Sequence, residues 1–172
     1  MGAAERLHQH LAALDAERRA LLARVAVAGP EALARQPRPG AWSALEILDH
    51  LVTAERVILG GLADPATLQA ARPRPAERLR RILVWGVLRF RIRVKVPTRR
   101  MLPQGGRDFP ALQAAWDENL AWVRAFAEAG GGDRGAVFRH PVGGPLTLAQ
   151  ALAMDRLHLR IHAAQIARIL EG

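Results

Sequence analysis

The sequence has no cysteine and no tyrosine among its 172 residues. Without cysteine it can form no disulfide, no thiolate metal site and no cysteine nucleophile. Without tyrosine it has no phenol to serve as an acid or a base. A metal ion would therefore need histidine or carboxylate ligands, and proton transfer would need those same residues or water.

A signal peptide and long apolar runs are also lacking. The first residues lead into an amphipathic pattern rather than an apolar segment with a cleavage site. The longest aliphatic-rich run, from Ile82 to Leu88, is far shorter than the roughly 20 residues that span a bilayer. We therefore expect a cytoplasmic protein with no transmembrane segment.

The positive charge is concentrated in one part of the chain. The formal net charge is +9, and half of the residues are hydrophobic, as in a globular protein. Between Arg72 and Arg107, twelve basic residues accompany one acid, Glu77, whereas the rest of the chain carries a net −2. The length predicts a single domain over residues 1–172, with residues 72–107 as its basic segment.

Four segments repeat apolar residues with helical spacing, over about 3–28, 43–62, 110–129 and 147–170. Ser43 with Glu46 fits a capping box, Asp108 or Phe109 opens the third segment, and Thr147 fits the N-cap of the last helix. In the basic segment, residues 76–90 fit a short extra helix, whereas residues 89–96 alternate with the period of a strand, and both alternatives stay open. The pattern predicts an all-α four-helix bundle with an elaborated basic crossover between the second and third helices.

Two histidines, His158 and His162, lie in the middle of the buried arc predicted for the last helix. Residues four apart on a helix have Cβ atoms about 5–6 Å apart, so two imidazoles can converge on one ion. His50, at the edge of the apolar arc of the second helix, is the best candidate for a third ligand. The alternative is a set of hydrogen-bonded core histidines, since His-x-x-x-His alone is a weak motif.

Acidic residues near these histidines are candidates for proton transfer or for orienting the ligands. Glu46 and Asp155 are the predicted catalytic residues, as a general base or as ligand-orienting groups. Asp49 could also orient a ligand, although a cap or an ion pair is the favoured interpretation for it. His140, which precedes Pro141, is interpreted as a structural residue or a residue at the rim of the site.

Two stretches of the chain resemble the DinB/YfiT-like family. The first, from Pro39 to Leu51, is similar to the family signature Trp-Ser…Glu…His-Leu. The second, from His140 to Ile166, is similar to its ending, His-Pro-x-x-Gly-x-Leu-Thr…His-x-x-x-His-x-x-Gln-Ile. The order and separation of these elements agree along nearly the whole chain, although residues 78–100 are more basic than the family leads us to expect.

The resemblance implies a four-helix bundle that holds a divalent metal, zinc or nickel, on His50, His158 and His162. It implies a metal-dependent enzyme acting on a small-molecule substrate, with a homodimer as the common assembly. Some members are transferases that use a low-molecular-weight thiol, which would have to arrive here as a cosubstrate. An ion with an open coordination position can activate either a thiolate or water.

The basic segment supports a second class of hypothesis. It could contact nucleic acid, an anionic membrane or an anionic substrate, or it could be a solvated arginine face. Only Trp85 and Phe90 are interleaved with its charges, so nucleic acid is not favoured. The alternative to an enzyme is thus a non-catalytic, metal-stabilised bundle whose basic segment binds nucleic acid or an anionic surface.

Overall fold

The computed structural model describes residues 3–62, 74–90, 98–131, 135–140 and 142–172. These residues are predominantly helical, as the sequence predicts. The helices are α1 (Ala3–Ala26), α2 (Pro30–Ala34), α3 (Ala44–Gly60), α4 (Pro75–Arg89), α5 (Phe109–Phe126) and α6 (Leu148–Leu170). A 3-10 turn spans Arg99–Met101, and a π-helical turn at Ala127–Gly131 follows α5.

The predicted caps set the starts of three long helices. Ser43 and Glu46 form the capping box of α3, and Thr147 forms one with Gln150 at the start of α6. The Asp108 side chain accepts a hydrogen bond from the backbone N–H of Ala111 and caps α5. Local sequence signals therefore determine where the helices that carry the histidines begin.

Each of the four long helices packs against two of the others. Helix α1 contacts α5 and α6, and α3 contacts the same two helices. The apolar core between them is mainly aliphatic, and its largest fully buried side chain is the indole of Trp116. Among the described residues, no helix is long and apolar enough to cross a membrane.

The basic segment contributes an extra helix, α4, that packs against α6 and the adjacent hairpin. The helical alternative is therefore correct for residues 75–89, and the strand-like alternation at 91–96 lies outside the described residues. The hairpin pairs β1 (Phe138–His140) with β2 (Gly144–Leu146) in antiparallel register, with Phe138 opposite Leu146. This hairpin was not predicted, because three-residue strands give too short an alternation to recognise.

Gly144 permits the close approach of α4 to the hairpin. Its φ is +71°, in the left-handed region, and a Cβ on it would lie 2.9 Å from the Glu77 carboxyl carbon. Glu77 in turn forms an ion pair with Arg139 at 2.9 Å. A side chain at position 144 would therefore be strained by its backbone and would displace Glu77.

Candidate metal centre

Three histidine side chains from two helices meet at one point. His50 comes from α3, and His158 and His162 come from α6, which packs against α3. One potential ligand nitrogen from each ring lies within 4.8 Å of the other two. His50 is buried, with 3% of its surface exposed, and the other two are partly buried. The cluster predicted from the wheel thus forms, with a buried side and a more accessible side.

The distances within the cluster suit a metal ion. The Nε2 atoms of His50 and His158 are 3.2 Å apart. Two nitrogens at the usual Zn–N distance of about 2.0–2.1 Å in a tetrahedral site are separated by about 3.3–3.4 Å. The three rings meet edge to face, with interplanar angles of 73–87°, so their nitrogens can converge on one point. The cluster is therefore compatible with a site for a divalent ion.

Hydrogen bonds determine which ring nitrogen of two histidines is free. The Nδ1 of His50 faces the backbone oxygen of Met101, and the Nδ1 of His162 lies 3.1 Å from Oε1 of Gln165. Both oxygens are acceptors, so each Nδ1 carries the proton and donates it. The lone pair is then on Nε2, the atom that His50 directs towards His158. Such outer partners typically fix the tautomer and the orientation of a ligating imidazole.

Burial keeps the imidazoles neutral. It lowers the pKa of His162 to about 4, helped by the neighbouring His50. The pKa of His158 lies well below its usual value, because of burial first and then repulsion from the other two rings. Burial also lowers the pKa of His50, although the Met101 carbonyl and Asp49 oppose that shift. At neutral pH all three rings therefore offer lone pairs without first having to lose a proton.

An aromatic side chain also packs against one histidine of the cluster. The Trp42 ring, immediately before the cap of α3, packs against the His50 ring with a centroid distance of 5.1 Å. Trp42 is half-buried and contacts the hydrophobic core. It therefore restricts the rotation of the His50 ring.

Glu46 lies one turn before His50 on α3. Its Oε2 accepts the backbone N–H of Ser43 at 2.8 Å, which completes the capping box. Glu46 also lines an open groove of about 290 Å³ with Ser43, Asp49 and Arg107. One carboxylate oxygen thus holds the helix cap, and the other has no protein partner among the described residues.

Asp49 anchors the loop that carries the Met101 carbonyl. Its side chain is 4% exposed, and its Oδ2 accepts the backbone N–H groups of Gln104 and Gly105 at 2.9 and 2.8 Å. Its Oδ1 forms an ion pair with Arg107 and accepts the hydroxyl of Thr53 at 3.0 Å. The favoured interpretation of Asp49 as an ion-pair partner is correct, and the contact acts on the site through the loop.

Asp155, one turn before His158, faces another carboxyl group. Its side chain hydrogen-bonds to Glu55, whose Oε2 also accepts the indole N–H of Trp116 at 2.8 Å. Burial raises the pKa of Asp155 to about 7. Burial and the neighbouring Asp155 carboxylate raise the pKa of Glu55 well above its usual value. The two carboxyl groups therefore share a proton between α3 and α6.

Three contacts of the site were not predicted from the sequence. The Met101 acceptor is a backbone carbonyl, which leaves no signal in residue identity. Gln165 lies on the histidine face of α6, three residues after His162, and this spacing is the sequence signal that could have predicted the contact. Glu55, an acid within the apolar arc of α3, also gives a sequence signal, because a buried acid needs a partner.

The other histidines lie outside the cluster. The Nδ1 of His140 accepts the backbone N–H groups of Val142 and Gly143 at 3.1 and 2.9 Å, which closes the β1–β2 turn. This agrees with the structural interpretation of His140. His8 is exposed on α1, and His10 lies 3.5 Å from a guanidinium nitrogen of Arg156.

Comparison with known proteins agrees with the geometry. No match was found among the curated proteins or among the solved structures. A model of the DinB superfamily matches residues 13–166, a range that contains all three clustered histidines and both capping boxes. The chain therefore belongs to the DinB superfamily.

Proposed function

We propose that this protein is a metal-dependent enzyme that holds one divalent ion, zinc or nickel, on Nε2 of His50, His158 and His162. The observation that carries the proposal is the tautomer pattern: two rings have Nδ1 held by an acceptor oxygen, which puts the lone pair on Nε2. Hydrogen-bonded core histidines would not need their lone pairs to converge. Within the described residues, the cluster has three ligands, which would leave a coordination position for another molecule.

The bound ion would supply a Lewis acid that lowers the pKa of a thiol or of water. We propose a transferase that uses a low-molecular-weight thiol, or a hydrolase that uses water, with a small molecule as the other substrate. The chain has no cysteine, so a thiol must come from outside. In this proposal the four long helices form a four-helix bundle, which is a single domain with the basic segment as its crossover. The protein is a homodimer in the cytoplasm.

Glu46 and Asp155 are the proposed proton carriers. Glu46 has one carboxylate oxygen without a described protein partner and borders the open groove. A pKa of about 7 suits Asp155 to both taking and giving a proton at neutral pH. Its shared proton with Glu55 could be transferred only after that hydrogen bond opens, so Glu46 is the better-placed general base.

A thiol-consumption assay tests the reaction class. Metal-free protein, zinc-loaded protein and nickel-loaded protein would each be incubated with a low-molecular-weight thiol and a panel of small electrophiles. Loss of free thiol that depends on the metal and disappears in Glu46→Gln supports a transferase. Hydrolysis without thiol supports the hydrolase. If metal binds but neither reaction occurs, the alternative of a non-catalytic, metal-stabilised bundle is favoured.

A further inference from the structure

Helix α4 carries an apolar stripe on its exposed side. Leu79, Ile82 and Leu83 are 61–67% exposed, and Phe90, one residue after the helix, is 77% exposed. Spacings of three, four and seven residues put these side chains on one face of a helix. The backbone N–H of Phe90 donates to the carbonyl of Gly86, so Phe90 continues that face.

Contacts on the opposite side fix the orientation of α4. Val84 and Trp85 are partly buried and pack against the hydrophobic core. The guanidinium of Arg81 donates to the backbone oxygens of Pro145 and Gly143 at 2.8 and 3.3 Å. Because one side of α4 is docked in this way, the stripe is held facing outwards.

Arginines border the stripe on both sides. Helical spacing puts Arg78 and Arg89 along one edge and Arg80 along the other, and all three are exposed. Within the described parts of the chain, none of these three guanidinium groups has a hydrogen-bond or ion-pair partner. The one acid of α4, Glu77, already pairs with Arg139. The surface is therefore apolar along its centre and positively charged along its edges.

This pattern discriminates between partners. A second copy seated on the same stripe would bring the flanking arginines of both copies together without acids to neutralise them. The surface area of four partly exposed side chains is also smaller than the roughly 800 Å² per partner that a stable interface buries. A nucleic acid would neutralise the arginines but would leave the aliphatic side chains without a partner. An anionic bilayer offers acyl chains to the stripe and phosphates to its edges.

We propose that α4 is an amphipathic helix that docks this protein on an anionic lipid surface, with Leu79, Ile82, Leu83 and Phe90 inserted among the lipids. Arg78, Arg80 and Arg89 then contact the headgroups. The helix lies in the plane of the interface and does not span it. This proposal is independent of the metal-site chemistry, because α4 contributes no ligand to the histidine cluster.

Vesicle co-sedimentation of the full chain tests the proposal. We expect binding to vesicles of equal parts phosphatidylglycerol and phosphatidylcholine, and much weaker binding to phosphatidylcholine alone. The Leu83→Glu variant should bind at least tenfold more weakly, because a charge then replaces an inserted leucine. Val27→Glu is the matched control, since Val27 is 86% exposed in the turn after α1, away from α4. It should bind like the wild type.

The charged edges give a second, milder variant. Arg78→Gln with Arg89→Gln should weaken binding about 25-fold, at about fivefold for each basic residue. Arg35→Gln with Arg38→Gln removes the same charge elsewhere on the surface and should have a smaller effect. Size-exclusion chromatography with light scattering, run on every variant, reports on self-association.

Three outcomes would overturn the proposal. The first is an absence of binding to the anionic vesicles at 50 mM salt. The second is binding that Leu83→Glu leaves unchanged. The third is a dimer that Leu83→Glu dissociates, which would show that the stripe is an interface between copies.

Discussion

At the scale of single residues, the properties of the site depend on where each imidazole proton is held. The Met101 carbonyl and the Gln165 amide oxygen take the Nδ1 protons of two rings and leave Nε2 free. The spacing of His158 and His162 on a buried arc predicted the cluster. It could not predict the tautomers, because a backbone carbonyl that arrives from a distant turn has no sequence signature.

Replacing Gln165 with leucine removes the acceptor for the His162 proton. We expect the affinity for zinc to fall about 10- to 100-fold, because the ring is then no longer oriented. Titration of metal-free protein with zinc against a chromogenic chelator measures this. Gln113→Leu, at an exposed position of α5, should keep the wild-type affinity. Equal affinities in both variants would show that this hydrogen bond does not orient the ligand.

The Glu55–Asp155 pair should make the stability of the folded protein depend on pH. The pKa of Asp155 rises from 3.8 to about 7 on folding, so the unfolded chain loses this proton at lower pH than the folded protein does. The protonated Asp155 carboxyl therefore stabilises the folded protein fully below about pH 4. This stabilisation is lost as the pH rises to about 7. The lowered pKa of His162 has the opposite effect on stability. The neutral imidazole stabilises the folded protein fully above about pH 6.5, and this stabilisation is lost as the pH falls to about 4.

Comparison of wild type with Asp155→Asn isolates the carboxyl pair. The amide can donate to Glu55 at every pH, so the variant should gain stability relative to wild type between pH 4 and pH 7. We expect a gain on the order of 2–4 kcal/mol, measured by urea denaturation at several pH values. Glu118→Gln, at an exposed position of α5, is the control and should give no such trend. A constant difference between Asp155→Asn and wild type would contradict a shared proton.

At the scale of elements, local sequence signals determine where helices begin, and long-range contacts determine how elements dock on one another. Ser43, Asp108 and Thr147 cap their helices through neighbours three residues away, so the sequence alone predicted these starts. The docking of α4 on the β1–β2 hairpin depends on residues more than 60 positions apart, such as Arg81 and Pro145. A linear pattern does not record such contacts.

The loop from Met101 to Arg107 is the element through which Asp49 reaches the histidine cluster. Asp49→Asn removes the charge opposite Arg107 and an acceptor of two backbone N–H groups. We expect the free energy of unfolding to fall by about 3–5 kcal/mol, as for a broken buried ion pair. Zinc affinity should also fall, because the Met101 carbonyl is then no longer held against His50. Urea denaturation and the chelator titration measure the two effects.

The control for this prediction is Asp108→Asn. Asparagine caps helices about as well as aspartate, so both stability and zinc affinity should stay close to wild type. If Asp49→Asn lowers stability but leaves zinc affinity unchanged, the loop does not position His50, and Asp49 has only a structural role.

At the scale of the whole molecule, the charges separate into paired and unpaired groups. Ion pairs join the long helices, with Glu17 of α1 contacting Arg156 and Arg160 of α6, both at 2.6 Å. The arginines at the edges of the α4 stripe have no such partners within the described residues. This division matches the sequence, in which the net positive charge lies in the basic segment and the rest is nearly neutral.

Metal content is the measurement that tests the central claim most directly. Untagged protein, purified without chelators, would be analysed by inductively coupled plasma mass spectrometry beside His162→Ala and His8→Ala. We predict about one divalent ion per chain in the wild type and in His8→Ala. His162→Ala should retain only a small fraction while its helical circular dichroism is unchanged. Full occupancy in His162→Ala would contradict a metal site on the three histidines.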